Sequence, residues 1–139
     1  MAALNETRNA TIKASVASQG LVMKQAAGND ATKVQVTSGK GDTAIGVSAA
    51  ESSRDAAGAL EGDGVGTVAI YPLSGIVYMK YGATADLNFG DSIYILDAGG
   101  GKVTGDAQTN AKLLGTYFGE SAKDLADGDL IPVACGRWA

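Results

Sequence analysis

Histidine is absent from this chain. With it go the Ser-His-acid triad, the Cys-His pair and every histidine-ligated metal site. The single cysteine, Cys135, can neither close an internal disulfide nor build a structural zinc site. Catalysis would then have to rest on paired carboxylates or an activated lysine. Asp55, Asp63, Asp124 and Asp129 are the carboxylates to consider, and each lies in a Gly/Ala/Ser-rich segment. Such segments make solvated turns and offer no apolar surroundings to tune a carboxyl group. An acid-pair hydrolase using Asp63 and Asp129 is therefore the weakest reading. The expectation is a protein that is not an enzyme and uses no cofactor or metal.

Two glycine clusters, Gly62-Asp63-Gly64-Val65-Gly66 and Gly99-Gly100-Gly101-Lys102, superficially look like phosphate-cradling loops. Neither fits a Walker pattern, because Val103 stands where Ser or Thr would follow Lys102 and neither cluster opens a helix. Hairpin turns account for them better. No segment alternates Asp and Asn ahead of a distal Glu as a calcium loop requires. Asn5-Glu6-Thr7 and Asn9-Ala10-Thr11 match glycosylation sequons, but no secretion signal precedes them to make the match meaningful.

The elements that must carry any function follow from composition and pattern. A chain of 139 residues fits one compact domain. Hydrophobic residues are 45% and charged residues 19%, which excludes both a disordered tail and a membrane protein. The net charge of −4, with 11 scattered basic residues, argues against nucleic acid or anionic lipid as partner. Glycine, at 20 residues, is about twice its usual ~7% share, while proline numbers 2, so tight turns dominate over stiff linkers.

Short runs with β-branched or aromatic residues at alternate positions recur between Gly, Asp, Asn and Ser. They predict strands over Ile12–Val16, Leu21–Gln25, Lys33–Val36 and Ala44–Val47. An Ala/Ser-rich stretch, Ser48–Leu60, follows as a surface loop or a helical turn. Thr67–Tyr71 and Ile76–Tyr81 then read as a hairpin around Pro72-Leu73-Ser74-Gly75. Ser92–Leu96, Lys102–Thr104, Lys112–Tyr117 and Leu130–Ala134 complete the strand set.

An internal repeat organises these runs. Ala44-Ile45-Gly46-Val47 is answered by Leu113-Leu114-Gly115-Thr116, and Glu51-Ser52-Ser53-Arg54-Asp55 by Glu120-Ser121-Ala122-Lys123-Asp124, both 69 residues on (115 − 46 and 120 − 51). Lys33-Val34 aligns with Lys102-Val103 at the same offset, and Gly62-Asp63 with Gly128-Asp129 after a small deletion. The fold expected is mainly β: a small barrel or sandwich of two diverged repeats of ~65–70 residues, near 20–71 and 90–134. Residues 1–11 would form a flexible N-terminal arm and 12–139 a single β-rich domain. Each half has too few strands to cover an apolar face alone, so the halves need each other.

The hydrophobic-Gly pairs Ile45-Gly46 and Leu114-Gly115, the Gly-Asp steps Gly90-Asp91-Ser92-Ile93-Tyr94 and Gly128-Asp129-Leu130-Ile131, and the Gly75-Ile76-Val77 strand together resemble the capsid cement or decoration proteins of tailed bacteriophages. The resemblance covers roughly residues 10–134. It implies a homotrimer on the outer surface of the virion, clamping neighbouring major capsid protein subunits of a phage head, made in the host cytoplasm, with no nucleic acid, membrane or cofactor involved. It also implies an N-terminal arm reaching across the capsid, here Ala2–Thr11. Within that arm Ala2, Leu4, Asn5, Thr7 and Arg8 are the candidate capsid-binding residues.

Aromatic residues and arginine concentrate at interface hot spots, which makes Tyr81, Phe118, Arg137 and Trp138 candidates for an oligomer interface. Tyr78 shares strand parity with Ile76 and is assigned either to the core or to a contact surface, with Tyr81 covering a barrel end in the first case. Tyr117 and Phe118 are adjacent, so on a strand only one can enter a given core. The main alternative function is a carbohydrate- or host-binding β module of a phage head fibre, or another virion assembly subunit. Such a module needs an exposed aromatic platform.

Overall fold

A computed structural model describes residues 6–82 and 85–136. The strands are β1 (Arg8–Thr11), β2 (Val22–Gln25), β3 (Val34–Val36), β4 (Ala44–Ser48), β5 (Thr67–Tyr71), β6 (Gly75–Lys80), β7 (Ser92–Ile95), β8 (Val103–Thr104), β9 (Leu113–Tyr117) and β10 (Leu130–Cys135). A single 3-10 turn, Gly28–Asp30, is the only helical element among the described residues. Alternation decides which side chains go inside. In β6, Val77 and Met79 are buried while Tyr78 faces out, and in β10 Ile131 and Val133 are buried while Leu130 faces out.

The strands form two five-stranded antiparallel sheets, β1-β5-β4-β2-β3 and β6-β10-β9-β7-β8. Counted from its own first strand, each sheet runs first-fifth-fourth-second-third. The ladder between second and fourth strands slips in both, between Met23 and Lys24 and between Ile93 and Tyr94. Backbone bonds outside the ladders correspond as well. Ile12 N donates to Gly66 O as Tyr81 N does to Asp129 O, and Lys13 N to Val34 O as Gly82 N does to Val103 O. Gly46 and Gly115 occupy matching places: a Cβ on Gly46 would collide with the Ile70 side chain and the Tyr71 carbonyl, one on Gly115 with the Ala134 carbonyl. Only glycine lets the neighbouring strand approach that closely.

Several expectations are corrected. The sheets do not close into a barrel: their edge strands approach each other through single parallel bridges, Ile12↔Val34 and Tyr81↔Val103, instead of ladders. Thr67–Tyr71 and the strand after it are not a hairpin. Pro72-Leu73-Ser74 carries the chain from one sheet to the other, because β5 and β6 pair with β1 and β4 and with β10 respectively. The strand expected at Ile12–Val16 lies upstream at Arg8–Thr11, so residues 8–11 belong to a sheet and not to an arm. Of the two readings of Ser48–Leu60, the loop holds and the helical turn does not: β4 ends at Ser48 and a bridge between Arg54 and Leu60 closes the loop.

Two cores result. The larger unites Val77, Met79, Tyr81, Leu87, Ile93, Ile95, Val103, Tyr117, Ile131 and Val133 with Val22 and Val47 from the first sheet. The smaller, on the other face of the first sheet, gathers Ile12, Val16, Leu21, Met23, Val34, Val68 and Ile70. The first sheet is thus apolar on both faces, and its outer face covers the interior of the second. Four backbone bonds stitch this seam: Lys80 N to Gly20 O, Val22 N to Gly101 O, Ala98 N to Ser38 O and Lys112 N to Lys40 O. No helix among the described residues is long and apolar enough to cross a membrane.

Candidate interaction surface

Of the carboxylates singled out for catalysis, Asp63, Asp55 and Asp129 each bond to neighbouring groups, and Asp124 is exposed. Asp63 accepts from Lys13 and Lys33 at 3.1 and 2.9 Å, and Asp30 pairs with the same two lysines at 2.9 and 3.0 Å. The four alternate in sign around a ring that ties the 3-10 turn, the loop before β5 and the segments flanking β1 and β3. The lysine ammonium groups hold the carboxyls of Asp30 and Asp63 below the ordinary value, and the carboxylates hold both lysines above theirs. Asp55 accepts from the backbone of Ala57 and Ala59, and Asp129 from that of Ala126. The Asp55 bond to Ala57 is of the Asx kind, and the Asp129 bond closes the turn that leads into β10. Among the described residues no three metal-ligating side chains cluster. Cys135 is buried, and desolvation pushes its thiol up to about 11.

The sequence-derived contact residues separate sharply. Tyr81 is 1% exposed in the larger core, with Oη donating to Ala85 O at 3.0 Å, so it is not an oligomer-interface residue. It continues the inward phase of Val77 and Met79, and burial raises its phenol pKa. Tyr78 takes the opposite place from the core assignment: it is 57% exposed. Of the adjacent pair, Tyr117 is buried and Phe118 is 51% exposed, as strand alternation requires. Thr7 and Arg8 are exposed at the start of the edge strand. Ala2, Leu4, Asn5, Arg137 and Trp138 lie outside the described residues.

What the fold assembles is an apolar row across the outer face of the second sheet. Tyr78 stands opposite Pro132, and Phe118 N donates to Pro132 O on the other side. Pro132 has no N–H to return, so the β9–β10 ladder stops at that row. Phe89 then stacks on Phe118 with centroids 5.0 Å apart and planes tilted 48°. This residue was missed in sequence, where only the Gly90-Asp91 step after it stood out; it sits in the turn 88–91. That turn is what presents it: Asn88 N donates to Asp91, Ala122 N to Asn88 and Phe89 N to Ser121. Beside the row a groove of about 310 Å³ runs along β6, between Tyr78 and Leu130 on one side and Gln19, Ser48 and Tyr71 on the other.

Large aromatics left in water at one place mark a contact site, since each would lower its free energy by leaving solvent. The arrangement can bind through apolar contact. Comparison with models of known protein families, with curated proteins and with solved structures finds no match to this chain.

Proposed function

We propose that this chain is a structural virion subunit, a capsid decoration protein that binds the outside of a phage head as a homotrimer and clamps neighbouring major capsid subunits. The observation that carries the reading is the exposed row of Tyr78, Pro132, Phe118 and Phe89 on a sheet whose other face is locked in the core. A rigid face of that kind suits protein contact, because little conformational entropy is lost on binding. Trimer multivalency would then raise a weak single contact by ~10²–10⁴. The sequence resemblance points the same way.

The chain, on this reading, is also a duplication. The shared strand order, the paired register slips and the matching bonds at Ile12 and Tyr81 support two copies of one unit, about 69 residues apart. A short N-terminal arm, ending before β1, would add to the capsid contact.

A carbohydrate- or host-binding module is the second reading, favoured by the same exposed aromatics. Against it, the polar side chains beside Phe89, namely Asn88, Asp91 and Ser121, are engaged with backbone amides and not turned outward to sugar hydroxyls. The tilted Phe pair is also not a flat platform. Co-sedimentation decides: purified protein is expected to pellet with expanded heads of its phage and to leave a glycan array unlabelled. Failure to pellet together with glycan binding would reverse the choice.

A further inference from the structure

The seam between the two halves is a contact that the molecule makes once and leaves half-made twice. Within the chain, the outer face of the first sheet sits on the interior of the second: Val22 and Val47, with Ala44, Tyr71 and Leu73 beside them, pack into the larger core. Superposing the two sheets by their strand pairings carries Arg8 onto Val77, Ala10 onto Met79, Val34 onto Val103, Ile45 onto Leu114 and Ile70 onto Val133. In the second sheet every one of these positions is buried beneath the first. In the first sheet the same positions line an open, apolar cavity of about 370 Å³, with Ile45 43% exposed at its mouth.

The complementary face is open too. The residues through which the first sheet docks, Val22, Val47 and Ala44, correspond to Ser92, Thr116 and Leu113 on the outer face of the second. Leu113 is 62% exposed, and Tyr78 and Phe118 stand on the same face. A molecule with one filled socket, one empty socket of the same origin and one free copy of the docking face has the parts of a head-to-tail contact. Such heterologous contacts generate closed rings when the rotation permits and filaments when it does not.

We infer that the occupant of the cavity beneath the first sheet is the outer face of the second sheet of another copy of this chain, so that the seam inside each chain is continued between chains. The contact uses Leu113 and Thr116 of one copy against Ile45, Ala10 and Pro72 of the next, and leaves Tyr78, Phe118 and Phe89 to the shell. The inference rests on the duplicated-unit reading given above. It supplies the means by which the proposed homotrimer closes.

The test is the solution mass of the full chain and two variants by light scattering after size exclusion, with circular dichroism confirming that each variant is folded. Wild type is expected as a ring of at least three copies. Ile45→Asp spoils only the socket and Leu113→Asp only the docking face, so each alone is expected to be a folded monomer. Mixed one to one, they retain one intact socket and one intact face between them, and a dimer of twice the chain mass is expected. A wild type that stays monomeric up to millimolar concentration would overturn the proposal, as would variants of wild-type mass or a mixture that remains monomeric. Thr116→Asp, a second change to the docking face, is expected to weaken the ring at least tenfold, and no weakening counts against it. Head binding by the monomeric variants is read separately by pelleting, and bears on the capsid reading alone.

Discussion

At the scale of single residues, neighbours in sequence have opposite tasks. Tyr81 closes the larger core and Tyr78 stands in water three positions earlier. Replacing Tyr81 by Phe removes its bond to Ala85 O and is expected to lower stability by about 0.5–1.5 kcal/mol in urea unfolding. Tyr78→Ser is expected to stay within about 0.5 kcal/mol, as surface changes do, while weakening partner binding. The phase was legible in part: Tyr78 shares its parity with Lys80, a charge that belongs outside, and Tyr81 shares it with Met79. Ile76 in the same register as Tyr78 obscured that signal.

Charge acts at this scale as well. Asp30 and Asp63 have folded-state values depressed by Lys13 and Lys33, so their contribution to stability is present above the unfolded carboxylate value and fades as pH falls through the folded ones. The lysines are raised, so theirs is complete below the unfolded lysine value and fades as pH rises through the folded one. The melting temperature of Asp63→Asn should accordingly show a flatter acid limb than wild type, and added salt should shrink the difference, since the ring is solvent-exposed. Cys135, buried with its thiol pushed up to about 11, is expected to react with a thiol reagent only on unfolding.

At the scale of elements, the sequence located strands better than it located their partners. Thr67–Tyr71 falls at its expected bounds, and the runs near Ala44, Ser92 and Leu130 fall within a residue or two of theirs. Pairing was another matter. Pro72-Leu73-Ser74-Gly75 has the composition of a hairpin turn, yet the same residues serve as a crossover because β5 finds its partners in β1 and β4. Local turn chemistry says that the chain bends; it does not say which sheet the next strand joins. The upstream strand was missed because Arg8, Asn9 and Thr11 carry little apolar pattern, and its stability comes from the ladder with β5. The glycines were the sharper signal: Gly46 and Gly115, paired by a 69-residue offset, both meet a neighbouring strand that a methyl group would displace. Gly46→Ala and Gly115→Ala are each expected to cost about 1–3 kcal/mol in chemical denaturation.

At the scale of the whole molecule, the two sheets are interdependent because the larger core draws Val22 and Val47 from the first and closes over the second. A single cooperative unfolding transition is expected by both fluorescence and circular dichroism, and residues 74–139 expressed alone should not fold, having lost the cover over Met79, Val103 and Val133. The mainly β architecture was legible in alternation, whereas the open sheets were not, because closure depends on curvature that no short sequence window encodes. The aromatic row was only half visible: Phe118 was singled out, but Phe89 reaches it through a turn 29 residues away in sequence (118 − 89).

On the proposed reading, this β body works by gripping a protein shell from outside. A ligand that binds only the assembled shell must raise its resistance to disassembly in proportion to its free concentration. The most direct measurement is the thermal disassembly of expanded, undecorated heads with and without the purified protein. The account predicts a rise in the disassembly temperature that saturates with added protein and that Phe118→Ser diminishes. An unchanged disassembly temperature at saturating protein would contradict it.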